Sequence, residues 1–401
     1  MTYIDKMIKE LCPDGVEWKA LGEVCVVKTG QSVNKTFIQN NSGAYPVINS
    51  GKEPLGYVDI FNTEDDPIGI TSRGAGVGYV SWNEGKYFRG NLNYSATIKD
   101  SEKLLPRYLY YFLKNNSKKI EELCTFDGIP ALNKFKLETL NIAIPHEDIQ
   151  KEIVKILDKF TDYITELTAE LTARQKQYSF YRDRLLSFED EVYQVEWKTL
   201  RKICRKISSG GTPKSDNEDY YGGNIPWLRT QDIDFKDIVS TSATITQAGL
   251  ENSSAKWVPI NSVVIAMYGA TAGKSAVTKI PLTTNQACCN LEIDEELANY
   301  RYVYHWVYKN YELLKARGQG SQSNISGKII KDFPIPLPSL TIQSRIAEVL
   351  DNFDTVCNDL QIGLPKEIEL RQKQYEFFRD KLLTFTAEGV YTDSTVQTRP
   401  D

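Results

Sequence analysis

The run Gly269-Ala270-Thr271-Ala272-Gly273-Lys274-Ser275 has the residue types of a phosphate-cradling loop. Such a loop needs four residues between its first glycine and the Gly-Lys pair, and here there are three. One residue short, it would not present its amides in the same way, so nucleotide hydrolysis is not expected of it. Asn224-Ile225-Pro226-Trp227 departs from the Asn-Pro-Pro-aromatic motif of adenine methyltransferases by lacking the first proline. No Gly-rich cofactor loop after a strand accompanies it, so methyl transfer by this chain is not expected either. A nucleophile elbow and a spaced carboxylate-lysine nuclease signature are also missing. The histidines are His146 and His305, far from any cysteine pair, and give no zinc pattern. These absences point to binding rather than chemistry.

The glycine loops suit binding. Ser209-Gly210-Gly211-Thr212-Pro213-Lys214 offers small donors and a cation, as does Lys28-Thr29 with Lys35 nearby. Ser72-Arg73-Gly74-Ala75-Gly76 and Tyr268-Gly269 through Lys274 occupy equivalent places in the two halves of the chain. Small residues let backbone amides approach phosphates, and Arg73 or Lys274 can neutralise one. Plain tight turns would use the same residues. Gln319-Gly320-Ser321-Gln322-Ser323-Asn324 is rich in amides, which pair with adenine edges, although a solvated loop has the same composition. Trp227, Arg229 and Thr230 combine an aromatic platform, a guanidinium and a hydroxyl, with core packing as the other use for the tryptophan.

The elements that carry these loops come in duplicate. Val16-Glu17-Trp18-Lys19-Ala20-Leu21 returns as Val195-Glu196-Trp197-Lys198-Thr199-Leu200. Arg174-Gln175-Lys176-Gln177-Tyr178 returns as Arg371-Gln372-Lys373-Gln374-Tyr375. Between these landmarks the halves diverge, so similar elements hold two dissimilar bodies. Ile149, Ile153, Ile156, Phe160, Ile164, Leu167 and Leu171 recur at three- and four-residue steps. Ile342, Ile346, Val349, Phe353, Val356 and Leu360 do the same. Apolar stripes at this spacing need a partner surface, and a helix over 149–188 would be roughly 60 Å long, too long for one small domain to cover. Each helix has a near-copy in the chain, so the expected partner is the other helix, in an antiparallel coiled coil. Prolines start both helices, and Gly363 with Pro365 should interrupt the second. The bodies alternate short β-branched runs with Gly-rich turns and a Tyr-rich helix, an α+β pattern. The expected order is a first head over 1–140, a helical spacer over 141–195, a second head over 196–335, a second spacer over 336–390 and a flexible tail over 391–401.

The 401 residues, 41% apolar and 25% charged, contain no run of about 18 apolar residues, so no membrane span is expected. Met1 to Glu10 has no signal-peptide core, and the seven cysteines form no C-x-x-C pair, which fits a reducing cytoplasm. The net charge of −5 argues at first against a nucleic-acid partner. Its distribution removes that objection. Residues 1–140 are net neutral and 196–335 net +3, whereas 141–195 and 336–401 carry −4 each. Two bodies free of acidic excess permit DNA binding.

As an ordered set, these motifs resemble the specificity subunits of type I restriction-modification enzymes. The resemblance rests on Cys12-Pro13-Asp14-Gly15-Val16-Glu17-Trp18-Lys19, on Gly210-Gly211-Thr212-Pro213 followed by Gly223-Asn224-Ile225-Pro226-Trp227-Leu228, on Ile335-Pro336-Leu337-Pro338 to Gln343, and on the repeated Arg-Gln-Lys-Gln-Tyr. It covers nearly the whole chain. It implies two target-recognition domains joined by two helices that pair antiparallel. It also implies double-stranded DNA as a partner, two modification subunits that bring S-adenosylmethionine and adenine-N6 methyl transfer, and motor-nuclease subunits that use ATP and Mg. No cofactor belongs to this chain in that picture. Two unlike heads imply a bipartite, asymmetric site. A methylation-only system and a coiled-coil scaffold that reads no DNA remain as alternatives. Neighbouring genes, and DNA capture by the assembled complex, separate them.

Overall fold

A computed structural model describes residues 3–188, 195–318 and 324–385. The sequence-expected tail over 391–401 lies outside these residues, as do Gln319, Ser321 and Ser323. The chain forms two compact units, Met1–Leu167 with Ile368–Asp401, and Thr168–Glu367. Their limits fall inside helices rather than in loops. The frame is built from α1 (Pro106–Asn115), α2 (Glu147–Leu185), α3 (Tyr300–Lys309), α4 (Leu340–Asn358) and α5 (Leu364–Leu383). Helix α2 begins in the first unit and ends in the second, and α5 belongs almost wholly to the first.

In the first unit the central hairpin is Ile68–Thr71 with Val80–Trp82, and Asn93–Ser95 pairs on the other side. A second small sheet sets Val47 and Ile48 parallel to Phe88 and Arg89. The second unit repeats this plan on a larger scale. Val263–Ala266 pairs with Ser275–Thr278 and with Cys288–Ile293, inside a five-stranded sheet. Beside it, Trp227 and Leu228 run parallel to Thr283 and Thr284. Every residue of Ile68–Thr71 and of Val263–Ala266 is buried, so both central strands are covered on both faces; Val263–Ala266 is apolar throughout, while Ile68–Thr71 ends in a buried threonine.

The repeated Glu-Trp-Lys segments close the heads in the same way. Glu17–Ala20 pairs with Asn141–Ile144, and Glu196–Thr199 pairs with Pro334–Leu337, both antiparallel. Each closing strand leads into a long helix. Pairing the two ends of a head fixes the direction in which that helix leaves.

The helices pair antiparallel within each unit. In the first, Ile149, Ile153 and Leu157 of α2 share a core with Tyr375, Leu382 and Leu383 of α5, and Phe160 stacks on Phe378 at 5.3 Å. In the second, Tyr178 and Tyr181 of α2 stack on Phe353 of α4 at 6.3 and 5.5 Å. The expected interruption falls between Asn358 and Leu364. The Asp359 carboxylate accepts from the amides of Gln361 and Ile362, and a Cβ on Gly363 would lie 2.5 Å from the Thr355 carbonyl. Pro365 then stands in the first turn of α5, where its missing N–H costs nothing.

The expected pairing stripes need correction at four points. Ile156, Phe160 and Ile164 are partly buried in the first unit's core, and Leu171, Ile342, Ile346 and Phe353 belong to the second's. Leu167 is half-buried and joins neither unit's core. Val349 and Val356 are exposed, and Leu360, 73% exposed, lies in the turn after α4. Ala347, Leu350 and Cys357 are buried instead. At about 100° per residue, Val349 and Val356 fall roughly 60° and 80° from Ile346, on the side away from Leu350. The arc through Ile346, Leu350 and Phe353 must cover both α2 and the head helix α3, so it shifts toward the head.

Candidate nucleic-acid interface

The loops singled out from sequence converge on one strip in each head. In the first, the Lys28 amide donates to Ser95 Oγ, and Thr29 bridges Tyr94. Ser72 N donates to the Leu92 carbonyl, Ser72 O accepts from Leu132 N, and Arg73 bridges Ala131. Lys28–Thr29, Ser72–Arg73 and 130–132 therefore lie side by side around Tyr94. Arg73, Lys28 and Thr29 are exposed along it. Lys35 is exposed at the start of a separate short helix, Lys35–Asn40, capped by Asn34.

The second head builds its strip from equivalent backbone. Ser209 pairs with Cys289, Met267 N donates to the Ala287 carbonyl, and Met267 O accepts from Ile325 N. This register places Tyr268 where the first head has Arg73, and both side chains are exposed. Gly74 and Gly269, the next residues, take φ of +98° and +82° with nothing near their missing Cβ. Left-handed backbone, not space, calls for glycine there. The Thr230 carbonyl accepts from Thr271 Oγ1 at 2.8 Å, which ties Arg229–Thr230 to the same loop. Thr212, Lys214 and Asn324 are exposed, and Thr212 Oγ1 donates to Gln286 Oε1. Gly269–Lys274 is the turn of a β-hairpin, not a strand-to-helix loop, in keeping with the missing residue.

Several proposed contacts are used up internally. Trp227 is buried, its Nε1 donates to the Gly211 carbonyl at 3.0 Å, and its ring packs on Ile225, Ile245 and Ala255. Val47 holds the matching place in the first head and is also buried, so this is a core position and not a stacking platform. Gly210 and Gly211 are buried, and a Cβ on either would lie 1.8 Å from the Thr284 carbonyl or 2.4 Å from Ser254 Oγ. Gly211 N already donates to Thr284 O, and Gly74 N to Pro130 O, so these amides are not offered to phosphate. A Cβ on Gly76 would sit 2.9 Å from the Ser50 carbonyl. Ser72 is buried. Lys274 pairs with the exposed Asp234 carboxylate, so part of its charge is already met within the head. Arg229 Nη2 donates to Ser242 Oγ at 2.9 Å, while its Nε is buried without a partner.

Sequence reasoning marks Gln343 only as the end of a motif and misses the role of the residues that fix each head to the helix after it. Gln150 and Gln343 are both fully buried. Gln150 Nε2 donates to the carbonyls of Lys103 and Pro145, and its Oε1 accepts from Leu105 N. Gln343 makes the matching set with Leu297, Pro338 and Asn299. Arg107 Nε donates to Asp158 in one half and Arg301 Nε to Asp351 in the other, at 2.7 and 2.8 Å. The signal was a glutamine five residues after a proline in both halves, Pro145 to Gln150 and Pro338 to Gln343.

Burial pushes the thiols of Cys204 and Cys289 up to about 12, which removes them as thiolate nucleophiles. No group of three or more His, Cys, Asp or Glu able to hold a metal occurs among the described residues. None of the described helices is long and apolar enough to cross a membrane.

The type I restriction modification DNA specificity domain matches residues 13–175 and again 194–370. The chain belongs to that family. The two matches coincide with the two repeats, each a head with most of its helix. The specificity subunit of the type I restriction enzyme EcoR124I/EcoR124II from Escherichia coli is 35% identical, over 96% of this chain and 97% of its own length. A putative type I specificity subunit from Haemophilus influenzae is 29% identical over 96% and 99%. Among solved structures, the S subunit of a type I restriction-modification system from M. genitalium shares the fold with a TM-score of 0.66. It is 20% identical and is covered over 97% of its length, with 92% of this chain. The specificity-subunit architecture is thus α+β heads on paired long helices.

Proposed function

We propose that this specificity subunit reads a bipartite, asymmetric DNA site, one half-site per head, and performs no catalysis itself. It positions two adenine-N6 methyltransferase subunits and ATP-dependent motor-nuclease subunits, in the cytoplasm where the DNA is. The observation that carries the reading is the contrast between frame and strip. The frame is the same in both units, down to Gln150 and Gln343, while the exposed position beside the left-handed glycine is Arg73 in one head and Tyr268 in the other. A frame that repeats while its reading strip changes suits two different half-sites. An arginine there can bind guanine or phosphate, whereas a tyrosine supplies a ring and one hydroxyl.

The partner reading has its own support. Phe180 and Phe377 occupy the same place in the repeated helix ends and are 57% and 58% exposed. Large exposed aromatics are common anchors of protein interfaces, and the same anchor present twice suits two copies of one partner.

Replacing residues 196–335 with the matching head of a relative tests the function. Methylome sequencing of the complex should show one half-site changed and the other kept. A change in both, with the fold preserved, overturns the modular reading. The chain alone, with labelled S-adenosylmethionine and DNA, should transfer no label. Transfer that survives removal of every copurifying methyltransferase overturns the claim that it is non-catalytic.

A further inference from the structure

The joint between each head and its following helix is centred on one carboxylate, yet a different residue completes each joint. In the first, Asp158 of α2 accepts from Arg107 Nε and from the Tyr111 hydroxyl, at 2.7 and 2.5 Å. In the second, Asp351 of α4 accepts from Arg301 Nε at 2.8 Å, and His305 Nε2 stands 2.6 Å away. Tyr111 and His305 hold the same place on α1 and α3. A tyrosine in the first joint stays neutral through the physiological range, because burial raises its hydroxyl further. A histidine does not have that protection.

The His305 ring is fully buried. The Asp351 carboxylate accepts, so Nε2 carries the proton and Nδ1 is bare. Nδ1 is buried and has no hydrogen-bond partner. The charged and titratable groups around the ring are Asp351 and Asp354 from α4 and Arg301 and Tyr304 from α3. Tyr178 and Arg182 of α2 stand behind them, and Asp237 of the head sheet holds Arg301 Nη1 at 2.6 Å.

We propose that His305 makes the joint between the second head and α4 acid-sensitive. A proton added at Nδ1 enters a closed site without an acceptor, beside the Arg301 guanidinium, and is accommodated more readily once α3 parts from α4. The first joint, completed by Tyr111, stays closed under the same conditions. The second head then loses its fixed bearing on the helix before the first does.

The sign of the pH dependence follows from burial. Desolvation holds the imidazolium below its ordinary value of 6.5, against the pull of Asp351. The open joint takes up its proton near that ordinary value and the closed joint at lower pH. Stability of the closed joint is therefore full above the ordinary value and declines as pH falls through it. It levels off below the closed-state value. Asp354 works the other way, since burial raises its carboxyl and favours the closed form as pH falls. Between about pH 7.5 and about pH 5.5 the titration of the open ring near its ordinary value raises the opening equilibrium by at most about ten-fold.

Hydrogen exchange on the full chain at these two pH values, corrected for intrinsic rates, tests this. Peptides of α3 and α4 should lose up to about ten-fold in protection, while those of α1 and the start of α2 hold theirs. His305→Gln, which keeps a donor toward Asp351 without titrating, should abolish the loss, and His305→Tyr should make the second joint behave like the first. Asp354→Asn should enlarge the loss by removing the opposing group. Equal protection at both pH values in the wild-type chain and in Asp354→Asn overturns the proposal, and so does a loss that persists in His305→Gln. The consequence for half-site reading rests on the two-head function proposed above. Exchange is measured without DNA, so failure of the joint and failure of that function are told apart.

Discussion

Arg229 shows what remains possible for a side chain once its internal bonds are accounted for. Its guanidinium is steered by Ser242, its amide is held by Asp232, and its Nε has no partner. Arg229→Ala should relax one half-site and leave the other intact, at about 1–3 kcal/mol of discrimination if it reads a base. Binding to variant half-sites by the assembled complex measures this. An equal loss on every sequence would assign it to phosphate instead. The buried glutamines give a stability prediction. Gln343→Ala leaves the Asn299 amide and the Pro338 carbonyl without their side-chain partner and should cost about 1–3 kcal/mol in urea unfolding. A change below about 0.5 kcal/mol would make the latch ornamental. At this scale the sequence was a partial guide. Residue type marked Arg73, Lys28 and Tyr268 as surface candidates, and all are exposed. Type could not reveal that Gly210 and Gly211 face backbone at contact distance, or that Asp234 pairs with Lys274. Those facts arise from residues tens of positions away. Trp227 had two uses in the sequence, and the parallel strand pairing with Thr283 decides for the core.

Helices were legible to the degree that their periodicity had one cause. The α2 stripe from Ile149 to Ile164 was read with little error, because one apolar arc faces both the head and α5. The α4 stripe was misread because two surfaces pull on it: α2 holds Phe353 from one side, and the head helix α3 draws Leu350 and Ala347 from the other. The break before α5 was legible because Gly363 and Pro365 act locally, without help from tertiary contacts. The exposed phenylalanines belong to this scale too. Phe180→Ala with Phe377→Ala should leave the unfolding midpoint nearly unchanged, since both rings face solvent. Copurification of the methyltransferase subunit should fall at least ten-fold, the size of an aromatic anchor's contribution of about 2 kcal/mol. Undiminished copurification would place the docking face elsewhere, and single substitutions would show whether one or both copies engage.

At the scale of the whole molecule, α2 runs from the first unit into the second, and its length is expected to set the gap between the half-sites. Thr165-Glu166-Leu167 is followed by Thr168-Ala169-Glu170-Leu171 and Thr172-Ala173, a register that repeats every four residues. The repeat lies where the first unit ends at Leu167 and the second begins at Thr168. Thr168, Ala169 and Glu170 are exposed there, with Thr172 Oγ1 donating to the Thr168 carbonyl and Arg174 Nε to the Glu170 carboxylate. Deleting Thr168 to Leu171 should shorten the rod by about 6 Å, at about 1.5 Å per residue. B-DNA rises about 3.4 Å per base pair, so the gap should shrink by between one and two base pairs with each half-site unchanged. Rotation favours this particular length. Four residues turn the helix by about 400°, so the stripe through Ile164 and the residues after it nearly keeps its facing. Deletions of two or three would turn it by about 200° or 300° and aim the stripe away from its partners. The partner rod tolerates such changes in principle, since Leu157 to Arg174 spans 17 steps while Leu350 to Arg371 spans 21, with the turn at Asp359 to Gly363 inside the longer one. Methylome sequencing of the four-residue deletion decides the matter. An active complex that still modifies sites with the original gap would mean that the methyltransferase subunits, not this helix, set the spacing.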